Sequence, residues 1–235
     1  MRTYLRECGV AIRLTLLIML LTGIIYPLVV TAVAQAVFHD RANGSLVERD
    51  GAVVGSRLIG QSFTSDQYFH GRPSDTLSVP SDPSQTAVPQ PYNAANSGAA
   101  NLGPTNQALI LAVQSNSDAL RCREGLPPGP ATLVTPSPAP SAVPAASTAP
   151  CAHVSKPAQE LPVDAVTGSG SGLDPDISVA YAELQIPRIA TARTLPGDQV
   201  RKLVQDQILD RQFGILGERR ANVLDLNLAL DRLGH

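Results

Sequence analysis

The densest run of small, chemistry-capable residues is VTGSGSGLDPDIS, residues 166–178. Gly168, Gly170 and Gly172 alternate with Ser169 and Ser171, and Asp174-Pro175-Asp176 follows. A glycine turn that opens a helix can hold a phosphate on its backbone N–H groups. This turn lacks the lysine of a phosphate-binding loop, and Leu173 stands where G-x-G-x-x-G requires its third glycine. Asp174 and Asp176 would repel a phosphate. They complement the N-terminal dipole of a helix instead. The residues of the turn therefore read as a tight bend that delivers a helix.

Other reactive side chains are scattered. His39, His70, His153 and His235 form no metal-ligand spacing, and none has a nucleophile nearby in sequence. His70 lies in YFHGRP (68–73), where a pocket around Tyr68, His70 and Arg72 is conceivable. G-x-S-x-G, H-E-x-x-H, Walker A and Asp-Lys-Thr-Gly-Thr sequences are all missing. No catalytic residue and no metal site is expected. Cys122 and Cys151 flank a proline-rich segment, and a bridge between them would close that loop; two free thiols are the alternative.

The strongest element lies at the N-terminus. Residues 14–38, LTLLIMLLTGIIYPLVVTAVAQAVF, carry no charged side chain. A bilayer needs roughly 20 such residues as a helix. Arg2, Arg6 and Arg13 precede the run with Glu7 as the sole acid, whereas mixed charges follow it. The positive-inside rule then places 1–13 in the cytoplasm and 39–235 outside the membrane. A cleaved signal peptide is the rival reading, with AVAQA at 32–36 as the small-residue site, but the apolar run is long for one. Gly23, Pro27, Thr31 and Gln35 recur every fourth residue and suit a helix–helix contact in the membrane.

The remainder reads as a single exported α+β domain, with early strands and late helices. Asp50-Gly51 marks a hairpin within 44–56, and 57–63 suits another strand. Leu109, Ala112, Val113 and Leu120 share one helical face within 105–124, capped by Thr105 or Asn106. Residues 125–162 hold ten of the 20 prolines and read as an extended, mobile insert. Residues 177–194 look helical on both sides of Pro187. A helix with Val200, Leu203, Val204 and Ile208 on one face follows, then a short strand or turn at 213–220. The last helix starts at Asn222. Net charge is −2 and aromatics are few, which gives no basis for nucleic-acid binding.

Taken in order, the motifs YPLVVTAVAQAVF, ANGSL, GSRLIGQSF, YFHGRPS, YNAANSGAANLGPTN, VTGSGSGLDPDIS, IPRIA and GILGERRANVLDLNLALD resemble the C subunit of the Kdp-type potassium-transporting ATPase, the KdpC family. They cover most of the chain outside 125–162. The resemblance implies an inner-membrane pump complex in which a channel-like subunit carries potassium and a P-type subunit hydrolyses ATP. The C subunit, with one membrane helix and an exported domain, is needed for assembly and activity and has no cofactor of its own. The family is also described as a catalytic chaperone that raises the nucleotide affinity of the ATPase subunit. That implies ATP contacts at Ser169, Gly170, Ser171 and Gly172, by analogy with the signature loop of ABC transporters. Charge asymmetry opposes this role, since it puts the turn across the membrane from cytoplasmic ATP. A free-standing anchored binding or sensor domain is the third reading. The insert is longer and richer in proline than the family pattern, and Gly168 replaces a slightly larger residue.

Overall fold

The computed structural model describes residues 2–49, 51–80, 82, 84–129 and 160–233. The chain divides into two compact units, Met1–Ser56 and Arg57–His235.

In the first unit, helix α1 (Arg2–Leu20) passes through a π turn (Leu21–Ile25) into helix α2 (Tyr26–Val37). Its Arg6–Val37 stretch is long and apolar enough to cross a membrane, and its most apolar window buries nothing within the protein. Pro27 accounts for the π turn. Its ring clashes with the carbonyl four residues back and it cannot donate a hydrogen bond, so the preceding turn widens. Tyr26 N–H reaches back five residues to Leu21 C=O. A one-turn helix α3 (His39–Ala42) leads to strands β1 (Leu46–Arg49) and β2 (Ala52–Ser56), paired antiparallel with a bulge between Val47 and Glu48. Gly51 supplies the positive φ (+78°) that the hairpin turn requires.

The second unit opens differently from the expected strand. Residues 57–75 form no strand. Helix α4 (Gln107–Arg123) is capped by Asn106, whose side chain accepts from Ala108 N–H. Most of the 125–162 insert, including Cys151 and His153, lies outside the described residues. A 3₁₀ turn (Val163–Ala165) and the glycine turn follow. They deliver a strand before the helix: β3 (Asp176–Ser178) stands where the sequence suggested a helix start. Helix α5 (Val179–Arg193) begins one step later, with Ser178 Oγ accepting from Tyr181 N–H. Asp164 fixes that start by accepting from both Ser178 N–H and Ser178 Oγ.

Pro187 sits on the solvent side of α5 and does not break it. The carbonyl its ring leaves unpaired faces water there. Helix α6 (Gly197–Asp206) buries Val200, Leu203 and Val204 as expected, but Ile208, expected on the same face, falls beyond the helix in a strand. Strand β4 (Ile208–Leu209) runs into a turn at 213–217 and then strand β5 (Arg220–Asn222). The sheet order is β3-β5-β4, all antiparallel, with Ile177 and Ile208 both opposite Ala221. Asn222 Oδ1 accepts from Asp225 N–H at the start of helix α7 (Val223–Leu233). The core joins Phe69, Leu120, Ile177, Tyr181, Ile189, Val204, Leu226 and Leu230. Each such side chain contributes roughly 1.5–3 kcal/mol by leaving water.

Candidate functional site

Four separated motifs meet around the glycine turn: 57–63, 68–74, 92–106 and 166–178. The contacts are mostly to backbone. Arg72 Nη2 donates to Gly168 O at 3.2 Å, while Nη1 pairs with Asp174 Oδ2 at 2.9 Å. Ser74 Oγ donates to Gly172 O at 2.7 Å, and Gly60 N–H to Leu173 O at 2.8 Å. Gly98 N–H and Ser97 Oγ both donate to Ser171 O. From the other side, Asn116 of α4 donates to Val166 O at 3.0 Å. The carbonyls of the turn are thereby held by separate stretches of chain.

The serine hydroxyls bond back onto the same bend, Ser169 buried and Ser171 exposed. Ser169 is buried, and its Oγ accepts from Gly172 N–H at 2.9 Å. Ser171 Oγ accepts from Leu173 N–H at 3.1 Å. Gly172 has φ +68°, and a Cβ there would lie 2.5 Å from Thr76 Cγ2 and 2.6 Å from Gly98 O. A Cβ on Gly168 would lie 2.6 Å from Asp75 Oδ2. Gly170 alone opens onto unfilled space. These residues do not fit a phosphate cradle. Two glycines face protein atoms, and the Asp75 carboxylate stands where the anion's charge would be opposed.

Tyr92 holds the facing loop. Its ring fills the space beside Gly60 and Gly71, and its hydroxyl donates to Arg72 O at 2.8 Å. Burial pushes the Tyr92 phenol well above its usual range, so it stays a donor.

Helix α5 positions the 65–72 segment. Gln185 is fully buried; its Oε1 accepts from His70 N–H at 2.8 Å and its Nε2 donates to His70 O at 3.1 Å. Asn227 of α7 treats Phe69 the same way, at 2.7 and 3.0 Å. Two amide side chains thus replace a strand partner for buried backbone that has no ladder. Arg188 donates to Asp66 O, to Tyr68 O and, through Nε, to buried Glu124 at 2.9 Å. His70 is buried, and its pKa falls to about 4, mainly through burial and then through the nearby Arg123 charge. Its neutral ring bonds Ser65 O through Nε2 at 3.0 Å. His70 and Arg72 share the wall of a cavity; Tyr68 is not part of that wall and instead lies under Arg193, 4.8 Å from the ring centroid.

The other residues singled out by sequence lie elsewhere. Gly23 has no neighbour within 4 Å of a Cβ position, and the residue lies exposed with Pro27 and Thr31. Gln35 is engaged within its own unit, exchanging two 3.2 Å hydrogen bonds with Asn43. Cys122 is disulfide-bonded and Cys8 is free, while Cys151 lies outside the described residues. Among the described residues, no group of three His, Cys, Asp or Glu could hold a metal ion.

The family model of the K⁺-transporting ATPase c chain, KdpC, matches residues 8–149 and 142–232. The chain belongs to the KdpC family. The "Potassium-transporting ATPase KdpC subunit" of Rhodopseudomonas palustris strain BisB18 is 47% identical over 227 residues, covering 97% of this chain and 98% of that protein. The protein of the same name from Methylobacterium nodulans is 50% identical over 215 residues, 91% of this chain and 90% of that one. The Bradyrhizobium diazoefficiens subunit is 44% identical over 228 residues, 97% and 98%. Sequence reasoning found this family through its glycine and aromatic motifs. It missed Gln185, Arg188, Glu124 and Asn227. A signal existed for the amides, because Gln185 stands between Leu184 and Ile186 and Asn227 falls on the apolar face of α7.

Proposed function

We propose that the chain is the non-catalytic accessory subunit of an ATP-driven potassium uptake complex. In this reading it assembles with a channel-like subunit that carries potassium and a P-type subunit that hydrolyses ATP. Its N-terminus is cytoplasmic, one helix crosses the inner membrane, and the second unit lies outside. The carrying observation is the family match along the chain, joined to a single N-terminal helix of membrane length that buries none of its most apolar window. A helix whose most apolar window is left uncovered by its own chain is free to pack on partner helices there. Gly23, Pro27 and Thr31 offer a low-relief stripe for that contact. Gln35 is a weaker member, since Asn43 already satisfies it.

In the same reading, the glycine turn supports the assembly by fixing the loops of the second unit. A nucleotide-binding chaperone would instead use Ser169–Gly172. The buried Ser169 hydroxyl and the filled space beside Gly168 and Gly172 favour the structural role.

The test is co-purification in mild detergent through a C-terminal tag, with the native chain compared to Gly23→Leu combined with Thr31→Leu. The native chain brings down a P-type ATPase and a large multi-span subunit. The double variant loses most of that recovery, while its own level in the membrane is unchanged. Recovery of the native chain alone from cells expressing both partners would overturn the accessory reading. Unchanged recovery by the double variant would exclude that helix face.

A further inference from the structure

A cavity of about 230 Å³ lies between the 62–74 loop, Tyr92, α4 and α5, entirely within the second unit. Its wall includes Arg72, Arg123, Asn116, Ser74 and the Tyr181 hydroxyl. No Asp or Glu is among its lining residues. Arg72 is tied at its Nη atoms, yet its Nε is buried without a hydrogen-bond partner. An unpartnered buried guanidinium donor is costly, so the site is short of an acceptor. Arg123 reaches Tyr181 Oη at 3.3 Å and Glu124 at only 3.4 Å, and a third of its side chain remains exposed. Tyr181 Oη also donates to Gly71 O at 3.3 Å, and Asn116 Nδ2 donates to Val166 O at 3.0 Å. The wall thus gathers two guanidinium groups, Arg72 paired with Asp174 and Arg123 loosely with Glu124, around a space that no carboxylate lines.

We propose that this cavity binds one small oxyanion, a phosphate or a carboxylate group, between Arg72 and Arg123. Guanidinium groups suit both, because their planar donors match paired oxygens. The neutral His70 ring in the wall neither adds to nor opposes the charge at pH 7. The cavity shares Arg72, Ser74 and Asn116 with the clamps on the glycine turn, although none of residues 168–172 lines it, and the proposal is independent of whether the chain assembles with partners.

The experiment is calorimetric titration of the full chain in mild detergent. The probes are sodium phosphate and sodium acetate, each at constant ionic strength against sodium chloride. Saturable one-site heat with either probe is the expected result; phosphate alone assigns the phosphate class, and acetate alone the carboxylate class. Two variants test the location. Ala119→Glu places a carboxylate on an exposed lining position without disturbing the core, and Arg123→Gln removes one cation. Each weakens binding by about tenfold or more, the scale of a lost charge-assisted hydrogen bond, and Arg123→Lys, which keeps the charge but loses the planar fork, restores only part of it. Absence of saturable heat with both probes overturns the proposal. So does native-like binding by a folded Ala119→Glu protein.

Discussion

Replacing Gly172 with alanine separates a turn that serves the fold from a turn that serves a ligand. Gly172 sits at φ +68°, where a side chain costs about 1–2 kcal/mol. The new Cβ would also meet Gly98 O at 2.6 Å and Thr76 Cγ2 at 2.5 Å. Backbone at Gly98 is itself tied to Ser171, so it cannot retreat without breaking that hydrogen bond. Overpacking of this kind adds about 1–3 kcal/mol. The sum is about 2–5 kcal/mol, which for a unit of this size lowers Tm by roughly 5–15 °C. Gly170→Ala is the matched control: φ is not positive and nothing lies within 4 Å of its Cβ. It shifts stability by less than about 0.5 kcal/mol, the usual range for surface changes. The assay is thermal unfolding of the full chain in mild detergent followed by circular dichroism, repeated with magnesium-ATP. Equal destabilisation by the two variants would refute the reasoning from geometry. A stable Gly170→Ala protein that loses ATP protection seen in the native chain would return the turn to nucleotide binding.

Asn227→Leu and Gln185→Leu each strand a buried N–H and C=O of the 69–70 backbone, at about 1–3 kcal/mol per group. Urea unfolding should show a loss of about 2–6 kcal/mol for either, and a loss under about 1 kcal/mol would mean the loop finds other partners. His70 adds a pH dependence. Its folded pKa of about 4 lies below the unfolded value of 6.5, so the unfolded chain gains a proton first as pH falls. Stability contributed by the neutral ring is therefore full above pH 6.5 and declines toward pH 4. The folded ring faces Arg123 and Arg188, which oppose protonation, and Asp66, which favours it. His70→Gln should flatten the stability profile between pH 6.5 and 4, and an unchanged slope there would remove His70 as its source.

Local rules and tertiary contacts divided this protein between them. Residues 14–38, uncharged throughout, dictate a membrane-length helix by composition alone, because charged side chains are costly in hydrocarbon. Apolar spacing gave α6, and Asn106 and Asn222 marked helix starts, because capping and amphipathic periodicity act within one or two turns. Sequence also read Asp50-Gly51 correctly, since few residues accept positive φ. It misread 57–63 as a strand and missed β3. Strand identity depends on a partner, and Ile177 needs the distant Ala221 to become one. The same holds for the candidate site. YFHGRPS reads from sequence as a turn among aromatics, and only Gln185 and Asn227, distant in the chain, show that its backbone is buried and satisfied. The sequence allowed Arg72 a pocket with Tyr68 and His70; only the folded chain shows that Asp174 and Gly168 O, far away in sequence, take its Nη donors while its buried Nε has no hydrogen-bond partner. Residue types determined which chemistry was available; only the folded chain decided which donors were already spent and which were left over.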